Sequence, residues 1–400
     1  MRIAFLAASG ETGGAERSLL DVAASLLRAR PAWTPALVVP ADGSLAAEAR
    51  VLGVEVRVLP FPPRVESLGD AGDAGALARI ASLAAAVPAA LAYARTLRRT
   101  LAELRPDVVH SNGLKTHLLA ARAAPRGVPL IWHMHDYLGG RPVMARLLRA
   151  ASGRCAQLVA NSQSVAVDAR AVLGARVPID VVHNAVDLAR FHPDGPRMDL
   201  DAASGLPPAP AETVRVGLVA TMGVWKGHDL FLRALALLPA ELSVRGYVVG
   251  GGIYRTAGSE VSVDALRALA ADLGLEARVG FTGRVDDAAA AMRALDVVVH
   301  ASTRPEPFGL VIAEGMACGR AVVVSHEGGA AEIVRDGVDA IGFEPRDAAS
   351  LADRMARLAA DAGLRARLGA AAREAAVERF DPDRLAAQLV PVYARLTGGG

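Results

Sequence analysis

Short runs of Val, Ile and Ala alternate along most of the chain with longer segments whose apolar residues recur at helical spacing. Buried parallel strands give such apolar runs, and amphipathic helices cover both faces of the sheet that they form. The pattern therefore predicts βα units that build open parallel sheets. The predicted strands of the first series are Arg2–Ala7, Ala36–Val39, Glu55–Leu59, Asp107–His110, Leu130–His133, Gln157–Ala160 and Asp180–His183, and the predicted helices are Gly14–Ala29, Leu77–Glu103, Gly113–Ala123, Val143–Ala151 and Ser162–Leu173.

The alternation is interrupted between residues 191 and 212, where Pro, Asp and Gly predominate as in a linker. The second series of predicted strands comprises Val214–Ala220, Ser243–Val249, Arg278–Thr282, Val297–His300 and Ala321–Ser325. We therefore predict two Rossmann-like domains, 1–190 and 213–380, and a C-terminal helix, 381–397, that packs back on the first domain. Because ligands bind beyond the carboxyl ends of parallel strands, we expect two such sheets to form one cleft with two walls.

The segment Glu306–Glu314, with the sequence EPFGLVIAE, places two carboxylates around the start of a helix. Prolines on both sides of the first acid favour extended backbone, and the apolar residues after Gly309 recur at helical spacing. The first turn leaves the N–H groups of Gly309, Leu310 and Val311 without intrahelical partners, and the helix dipole adds partial positive charge there. The segment therefore predicts a site for a phosphate-bearing ligand between the two acids.

Three further motifs that follow predicted strands suit an anion. Gly13 and Gly14 would let the backbone approach a phosphate closely, although their spacing does not match the dinucleotide-binding GxGxxG motif. Lys226 stands at the start of a helix, where its ammonium group can pair with a pyrophosphate. Gly328 and Gly329 follow another strand. Each motif taken alone also fits an ordinary turn or an exposed side chain.

Polar side chains end two neighbouring predicted strands of the first domain. They are His110 and Asn112 on one strand, and His133, His135 and Asp136 on the next. The two histidines at 133 and 135 share a strand face, but no carboxylate or cysteine is placed to complete a zinc site, so we predict no metal. A hydrogen bond from such a strand-end histidine to a substrate is the favoured interpretation, and a structural role stays open.

Two Asp-x-Asp pairs match the spacing with which some transferases hold a divalent metal. They are Asp199 with Asp201 and Asp381 with Asp383. Both pairs lie in turn-like sequence and not at the end of a strand. We therefore interpret them as turn and helix-cap residues.

Hydrophobic residues make up 52% of the chain, but no uninterrupted apolar run reaches the roughly 20 residues of a membrane-spanning helix. The first residues turn polar too early for a signal peptide and are better interpreted as a buried strand. Two distant cysteines, Cys155 and Cys318, exclude a disulfide framework. We therefore expect a cytoplasmic protein.

The two halves of the chain differ in charge. Residues 1–190 carry 22 Lys and Arg against 15 Asp and Glu, whereas the remainder carries 22 against 27. A basic half suits phosphates or an anionic membrane surface. Nucleic acid is not an expected partner, because only 4% of the residues are aromatic and few bases could stack on them.

Taken in order, these motifs resemble those of the retaining GT-B glycosyltransferases of family 4, and the resemblance extends over essentially the whole chain. The residues that carry it are Gly13-Gly14, His135-Asp136, the HNAVD sequence at 183–187, Lys226-Gly227, FTG at 281–283, Glu306–Glu314, and Gly328-Gly329 with Glu332. The resemblance implies two Rossmann-like domains whose sheets face an interdomain cleft. It also implies metal-independent transfer of a hexosyl group (EC 2.4), with retention, from a nucleoside diphosphate sugar to a hydroxyl, without a cofactor.

The same resemblance assigns roles. Glu306 would contact hydroxyls of the donor sugar, Glu314 would hold the ribose, and the backbone of Phe308, Gly309, Leu310 and Val311 would bind the diphosphate. Lys226 would neutralise the leaving diphosphate, and Gly13 and Gly14 would approach it from the first domain. His135 would contact a sugar hydroxyl near the anomeric carbon, so the implied catalytic residues are His135, Glu306 and Lys226. His110, Asn112 and Asp136 are the candidate acceptor-side residues.

The chain departs from the family pattern at one donor-binding position. Family members commonly carry an arginine five residues before the lysine, where this chain has Thr221. Thr221 can donate a hydrogen bond but carries no charge, so stabilisation of the diphosphate must depend more on Lys226, on backbone amides or on another arginine. Arg245, Arg255 and Arg284 also fall near predicted strand ends.

Two other functions stay open at this point. A nucleotide-sugar 2-epimerase could use the same fold without an acceptor, and a non-catalytic nucleotide-sugar-binding subunit would tolerate the missing arginine. The expected donor is a UDP- or GDP-sugar. The expected acceptor is a sugar or a lipid-linked molecule in polysaccharide, capsule or glycolipid assembly, with peripheral contact at the inner membrane face through the arginine-rich half.

Overall fold

The structure, a computed structural model, describes residues 1–66, 76–252 and 259–398. The chain divides into two compact units. The first unit comprises Met1–Ala185 together with the residues from Pro382 onward, and the second comprises Val186–Asp381. The segment 191–212, which we predicted to be a linker, lies within the second unit.

The first unit is built on a parallel sheet of seven strands in the order β3-β2-β1-β4-β5-β6-β7. Its elements in chain order are β1 Arg2–Ala7, α1 Gly14–Ala29, β2 Thr34–Val39, α2 Ser44–Val51, β3 Glu55–Val58, α3 Pro63–Glu66, α4 Ala76–Leu104, β4 Val108–Asn112, α5 Leu114–Ala123, β5 Leu130–Met134, α6 Pro142–Ala151, β6 Gln157–Ala160, α7 Gln163–Leu173 and β7 Ile179–Val181. The predicted strands are confirmed, with ends shifted by one or two residues.

One of these shifts changes the position of a candidate residue. Strand β4 runs two residues beyond its predicted end, so His110 lies in the middle of the strand and not at its end. The side chain of His110 is 1% exposed and packs against the ring of Phe5. The expectation that His110 projects from the strand end was therefore wrong. The polar sequence His-Ser-Asn does not indicate a strand, yet all five residues of β4 are buried.

The second unit contains a parallel sheet of six strands in the order β10-β9-β8-β11-β12-β13. Its elements are α8 Leu200–Ser204, β8 Val214–Val219, α9 His228–Ala236, β9 Val244–Val249, α10 Val263–Asp272, β10 Val279–Gly283, α11 Ala288–Ala294, β11 Val297–His300, α12 Leu310–Ala317, β12 Ala321–Ser325, α13 Gly329–Glu332, β13 Ile341–Phe343, α14 Ala348–Ala360 and α15 Ala362–Phe380. The sequence pattern missed β13, because a three-residue strand is defined by its pairing with β12 and not by its own periodicity.

Both sheets reverse their order next to the first strand of each unit. The reversal lies between β1 and β4 in the first sheet and between β8 and β11 in the second. In open parallel sheets the loops at such a reversal diverge to opposite faces and leave a crevice at the carboxyl edge, which is where ligands bind. The loops after these four strands are therefore the places to look for a site.

The segment before β8 is fastened to the second sheet by a buried carboxylate. Asp199 caps α8 through Ala202 N–H, as we predicted, but Asp201 does more than terminate a turn. Asp201 is 5% exposed, pairs with Arg245 at 2.6 Å and accepts hydrogen bonds from Tyr247 and Ala209 N–H. Burial by itself would raise the pKa of Asp201, but these donors outweigh it and lower the pKa.

The last helix, α16 Asp383–Thr397, packs against α1 within the first unit. Asp383 pairs with Arg28 at 2.8 Å, and the backbone N–H of Ala386 donates to Ser25 Oγ. Tyr393 inserts its ring into the core, where its hydroxyl hydrogen-bonds with His110 Nδ1 at 2.7 Å.

In the described part of the chain, no helix combines the length and apolarity that a membrane span requires.

Candidate functional site

The loops after β8 and β11 bring together two residues that are 80 positions apart in the sequence. Lys226 Nζ lies 2.7 Å from Glu306 Oε1, and the two side chains are 18% and 15% exposed. Strands β8 and β11 are the pair at which the order of the second sheet reverses. A largely buried ion pair thus lies at the crevice where an α/β sheet binds its ligands.

A glycine brings Lys226 to this position. Gly227 has a φ of 74°, in the left-handed region, and a Cβ atom there would overlap the carbonyl oxygen of Ala301. Only glycine combines this backbone angle with so close an approach. The turn that carries Lys226 therefore lies directly against the chain that leaves β11.

The second carboxylate oxygen of Glu306 is held by residues to which we had assigned no role. Ser302 Oγ donates to Glu306 Oε2 at 2.6 Å, and His300 Nε2 lies 3.4 Å from the same oxygen. Burial by itself would raise the pKa of Glu306, but Lys226 and His300 more than compensate and hold the pKa far below its usual range. Glu306 is therefore ionised at neutral pH.

The predicted glycine pair meets the backbone of this same segment. The N–H of Gly329 donates to the carbonyl of Glu306 at 2.8 Å, and Gly328 forms a parallel bridge with Glu306. These contacts run Gly328 and Gly329 alongside the chain that approaches α12. The glycine pair, which was ambiguous when taken alone, thus belongs to the same loop assembly as Glu306.

Helix α12 begins beside the ion pair, as the sequence indicated. Gly309 has a φ of 94°, and the N–H of Ile312 donates to its carbonyl at 3.0 Å. The amides of Gly309, Leu310 and Val311 precede that bond and have no intrahelical carbonyl to which they can donate. The helix therefore presents three N–H groups and its positive dipole end, which suit an anion.

The flanking residues of the segment point in different directions. Phe308 is buried, and its ring packs edge-on against Phe380 at 5.8 Å, so only its backbone is available to a ligand. Glu314 lies in the middle of α12 and is partly exposed. The segment therefore offers a largely buried acid, backbone amides and a partly exposed acid in succession.

Thr221 follows β8 and is partly exposed. Of the arginines near predicted strand ends, Arg245 is bound to Asp201, and Arg255 lies outside the described residues. Arg284 is exposed directly after β10. It lies next to Gly251, because a Cβ atom added to that glycine would be only 2.9 Å from the Cβ of Arg284. Arg284 is thus a cation at the same carboxyl edge of the sheet as Thr221.

The glycine-rich turn of the first unit starts helix α1. Gly13 is the N-cap and Gly14 the first helical residue, which is exposed. Glu16 follows at the third helical position, and hydrogen bonds from its own N–H and that of Gly13 lower the pKa of its carboxyl group. Burial raises this pKa by more, so the net shift is upward. The arrangement matches one half of a capping box and gives Glu16 a structural role.

His135 is held from behind by Asn112. The side-chain nitrogen of Asn112 donates to the carbonyl of Ala15 at 3.0 Å, so its oxygen faces His135 Nε2 at 2.7 Å. An amide oxygen only accepts, so Nε2 of His135 carries the hydrogen. His135 Nδ1 is buried without a partner among the described residues, and burial lowers the pKa of the ring to about 4. His135 is therefore neutral at pH 7.

The other candidates of the first unit differ in accessibility. Asn112 is 1% exposed and its side chain is used by Ala15 and His135, so the expectation that it reaches an acceptor was wrong. Burial lowers the pKa of His110 to about 3, with a smaller contribution from His135. Asp136 remains partly exposed and pairs with Arg141 at 3.2 Å.

In the described ranges, no group of three His, Cys, Asp or Glu side chains is arranged to hold a metal ion.

The HNAVD sequence at 183–187 is engaged in structural contacts. Asn184 accepts a hydrogen bond from Ser18 Oγ at 2.9 Å, and the guanidinium group of Arg384 donates to the carbonyls of His183 and Asn184. Asp187 accepts from the N–H groups of Ala189 and Arg190. The contacts of His183 and Asn184 tie the end of the first sheet to helices α1 and α16, whereas those of Asp187 are local.

Models of two protein families match successive parts of the chain. The model for glycosyltransferase family 4 matches residues 12–190, and the model for glycosyl transferases group 1 matches residues 208–375. The D-inositol 3-phosphate glycosyltransferase of Xylanimonas cellulosilytica is 35% identical over 321 residues, which are 73% of this chain and 72% of that enzyme. The chain belongs to the group 1 glycosyltransferases of family 4.

Other similar proteins agree with this assignment. The enzyme of the same name from Streptomyces bingchenggensis is 33% identical over 73% of this chain and 67% of its own length. Anabaena HepE, solved in complex with UDP-glucose, superposes with a TM-score of 0.80 over 99% of this chain and all of its own, at 28% identity. Sucrose-phosphate synthase from Thermosynechococcus elongatus, at 20% identity, shares the fold with a TM-score of 0.79 over both whole chains. This glycosyltransferase therefore has the GT-B fold, with two Rossmann-like units.

Proposed function

We propose that this glycosyltransferase moves a hexosyl group from a nucleoside diphosphate sugar to a hydroxyl acceptor, with retention of configuration and without a metal. The observation that carries the proposal is the buried Lys226–Glu306 pair beside the N-terminus of α12. The pair joins a cation for phosphate to an ionised acid for sugar hydroxyls. UDP is the favoured nucleotide over GDP, because the 28% identical HepE was solved with UDP-glucose.

The chemistry of transfer asks for stabilisation of the leaving diphosphate as the bond to the anomeric carbon breaks. Lys226 and the amides of Phe308–Val311 supply positive charge and N–H donors for that group. Thr221 adds a hydrogen-bond donor, and Glu314 is suited to bind the ribose hydroxyls. A stabilised phosphate oxygen can accept the proton of the incoming hydroxyl on the same face of the sugar, which gives retention.

We also propose roles for residues of the first unit. Gly13 and Gly14 leave room for the diphosphate to approach the start of α1, and His135 contributes a neutral ring beside the sugar. Asp136, which is partly exposed, is the acceptor-side residue of the set. Asn112 supports His135 from within the core.

The proposal is tested by Glu306→Ala and Lys226→Ala, assayed as release of nucleoside diphosphate from UDP-, GDP- and ADP-sugars. We expect each variant to lose about 10²–10³-fold in kcat, comparable to the loss of one oxyanion-hole donor. Lys115→Ala is the matched control, because Lys115 is a partly exposed lysine of the first unit that contacts Phe61 and the carbonyl of Glu66. Wild-type turnover in both site variants would contradict the assignment.

Incubation with the donor alone separates transfer from the two alternatives. A 2-epimerase would convert the nucleotide sugar without an acceptor, and a binding subunit would leave it unchanged. We expect the isolated chain to release UDP only slowly until an acceptor sugar is added. Formation of an epimeric nucleotide sugar, detected by NMR, would favour the first alternative instead.

We further propose a lipid-linked acceptor at the inner membrane surface, in glycolipid or polysaccharide assembly. Helix α4 packs on α5 and α5 on α6, and the exposed arginines of α4 and α6 include Arg95, Arg98, Arg99, Arg146 and Arg149. Each such charge contributes about 1 kcal/mol near an anionic bilayer. We expect co-sedimentation with phosphatidylglycerol vesicles at low salt and release at high salt. The absence of binding at low salt would leave only a soluble acceptor.

A further inference from the structure

Glu306 is contacted along two different edges of its carboxylate. Lys226 occupies Oε1, whereas Ser302 and His300 both face Oε2. Ser302 and His300 are 1% and 4% exposed, and neither is among the residues to which donor binding was assigned. The two oxygens of Glu306 thus have different kinds of partner, one a cation and the other a pair of buried donors.

The directions of these bonds follow from the charge state. An ionised carboxylate only accepts, so Ser302 Oγ–H and His300 Nε2–H are the donors. His300 ends strand β11, and Ser302 follows it by two residues in the loop. The adjoining residue, Thr303, donates its N–H to the carbonyl of Trp225 at 2.8 Å. The loop that carries Ser302 is therefore fixed against the turn that carries Lys226.

The ion pair presents a conflict when a donor binds. Lys226 serves the diphosphate in the proposed function, and that anion competes with Glu306 for the same ammonium group. Without other partners, a buried carboxylate that lost its cation would favour the neutral form and would be free to rotate. Charge-assisted hydrogen bonds are roughly twice as strong as neutral ones, so the contacts on Oε2 oppose both changes.

We propose that Ser302 and His300 are positioning residues that hold the Oε2 edge of Glu306, so that Oε1 can pass from Lys226 to a hydroxyl of the donor sugar. This proposal rests on the proposed function, since it assumes a nucleotide-sugar donor. It predicts that the two residues act on recognition of the sugar and not on recognition of the nucleotide. Donor binding would then exchange one partner of Glu306 while the other two stay in place.

The test uses Ser302→Ala and the matched control Ser325→Ala. Ser325 ends the neighbouring strand β12, is 2% exposed, and its hydroxyl has no partner among the described residues. Affinities for UDP and for UDP-glucose are measured by calorimetry, together with kcat and KM. For Ser302→Ala we expect about tenfold lower kcat/KM and UDP-glucose affinity, with UDP affinity within about twofold of wild type. Ser325→Ala is expected to match wild type in all measurements.

Equal losses of UDP and UDP-glucose affinity in Ser302→Ala would overturn the proposal, because they would indicate general disruption of the site. Unchanged kcat/KM would overturn it as well. If the wild-type chain itself released no nucleotide from any nucleoside diphosphate sugar, the proposed function would fail, and the positioning role with it. Wild-type turnover with an unaffected Ser302→Ala variant would remove only the positioning role.

A second pair of variants tests His300 by rescue. Gln retains an N–H donor near the place of Nε2, whereas Leu has none. We expect His300→Leu to lower kcat/KM by about tenfold and His300→Gln to recover most of that loss. Equal activity in the two variants would show that the donor is not what matters. Circular dichroism and the unfolding midpoint establish that each variant is folded before its kinetics are compared.

Discussion

The two units share one strand order at the core of their sheets but have different chemistry at the point where that order reverses. After β8 and β11 of the second unit, Lys226 and Glu306 form an ion pair that is mostly buried and fully charged. In the first unit His110 lies on β4, His133 lies on β5 and His135 directly follows β5, and burial holds all three neutral. One topology thus supports an ionic site in one unit and an uncharged polar cluster in the other.

The difference follows from what each group can find to pair with. In the second unit Lys226 and Glu306 lie within 3 Å of each other, and this attraction offsets the cost of removing both charges from water. The rings at 110, 133 and 135 pack on one another, at 5.2 Å and 4.2 Å between centroids, so a proton on one disfavours a proton on the next. Fold similarity therefore predicts where a ligand binds but not which unit carries the charge.

The largest expected effect is on kcat/KM, in a comparison of one variant from each unit. Lys226→Ala removes the charge that we assign to the diphosphate, whereas His135→Ala removes a neutral ring. We expect kcat/KM to fall about 10²–10³-fold in the first variant and roughly tenfold in the second. Equal losses in the two variants would break the comparison, since they would mean that the uncharged cluster is as important to catalysis as the ion pair.

A smaller effect is expected from the turn that places Lys226. Gly227→Ala introduces a Cβ at a φ of 74° that overlaps Ala301, so we expect a loss of about 2 kcal/mol or more in the free energy of unfolding, together with lower activity. Gly274→Ala is the control, because its φ is 69° but its Cβ would meet nothing within 4 Å. The control is expected to lose only about 1 kcal/mol, and urea denaturation measures both. A Gly227 variant no less stable than the control would indicate that the turn can shift.

The smallest effect concerns the pH dependence of stability in the first unit. His110 has a pKa of about 3 when folded, below its unfolded value of 6.5, so the unfolded chain takes up a proton first as the pH falls. Stability is therefore full above pH 6.5 and falls below it, at up to about 1.4 kcal/mol per pH unit for each such histidine, until the folded pKa is reached. Glu306, whose pKa is lowered from 4.5, contributes a loss only below about pH 4.5.

His110→Phe tests this account, because it keeps a ring in the core and removes the proton site. Between pH 6.5 and 4.5 we expect the slope of the unfolding free energy against pH to decrease by up to about 1.4 kcal/mol per pH unit, which is the contribution of one proton. Denaturation at half-unit pH intervals measures the slope. An unchanged slope would mean that His110 titrates alike in the folded and unfolded chain, and the uncharged cluster would lose its physical basis.

Much of the second-unit site could be predicted from the sequence, because its signals are local. Prolines, Gly309 and the apolar spacing that follows indicate the start of α12 from neighbouring residues alone. The first unit was harder, since His110 and Asn112 have polar side chains that give no sign of burial inside a strand. Ser302 and His300 stand only a few residues before Glu306, yet no spacing rule distinguishes a serine that holds a carboxylate from one in an ordinary loop.

What the sequence by itself determined is the series of βα units, the family, and the position of the helix start that we assign to an anion. These depend on contacts between residues a few positions apart, which periodicity and turn chemistry record. Only the tertiary structure decided that Lys226 pairs with Glu306, that Asn112 faces His135, and that Gly329 donates to Glu306. Those partners come from different βα units, and strand order brings them together. A hydrogen bond across 80 residues leaves no local trace in either segment.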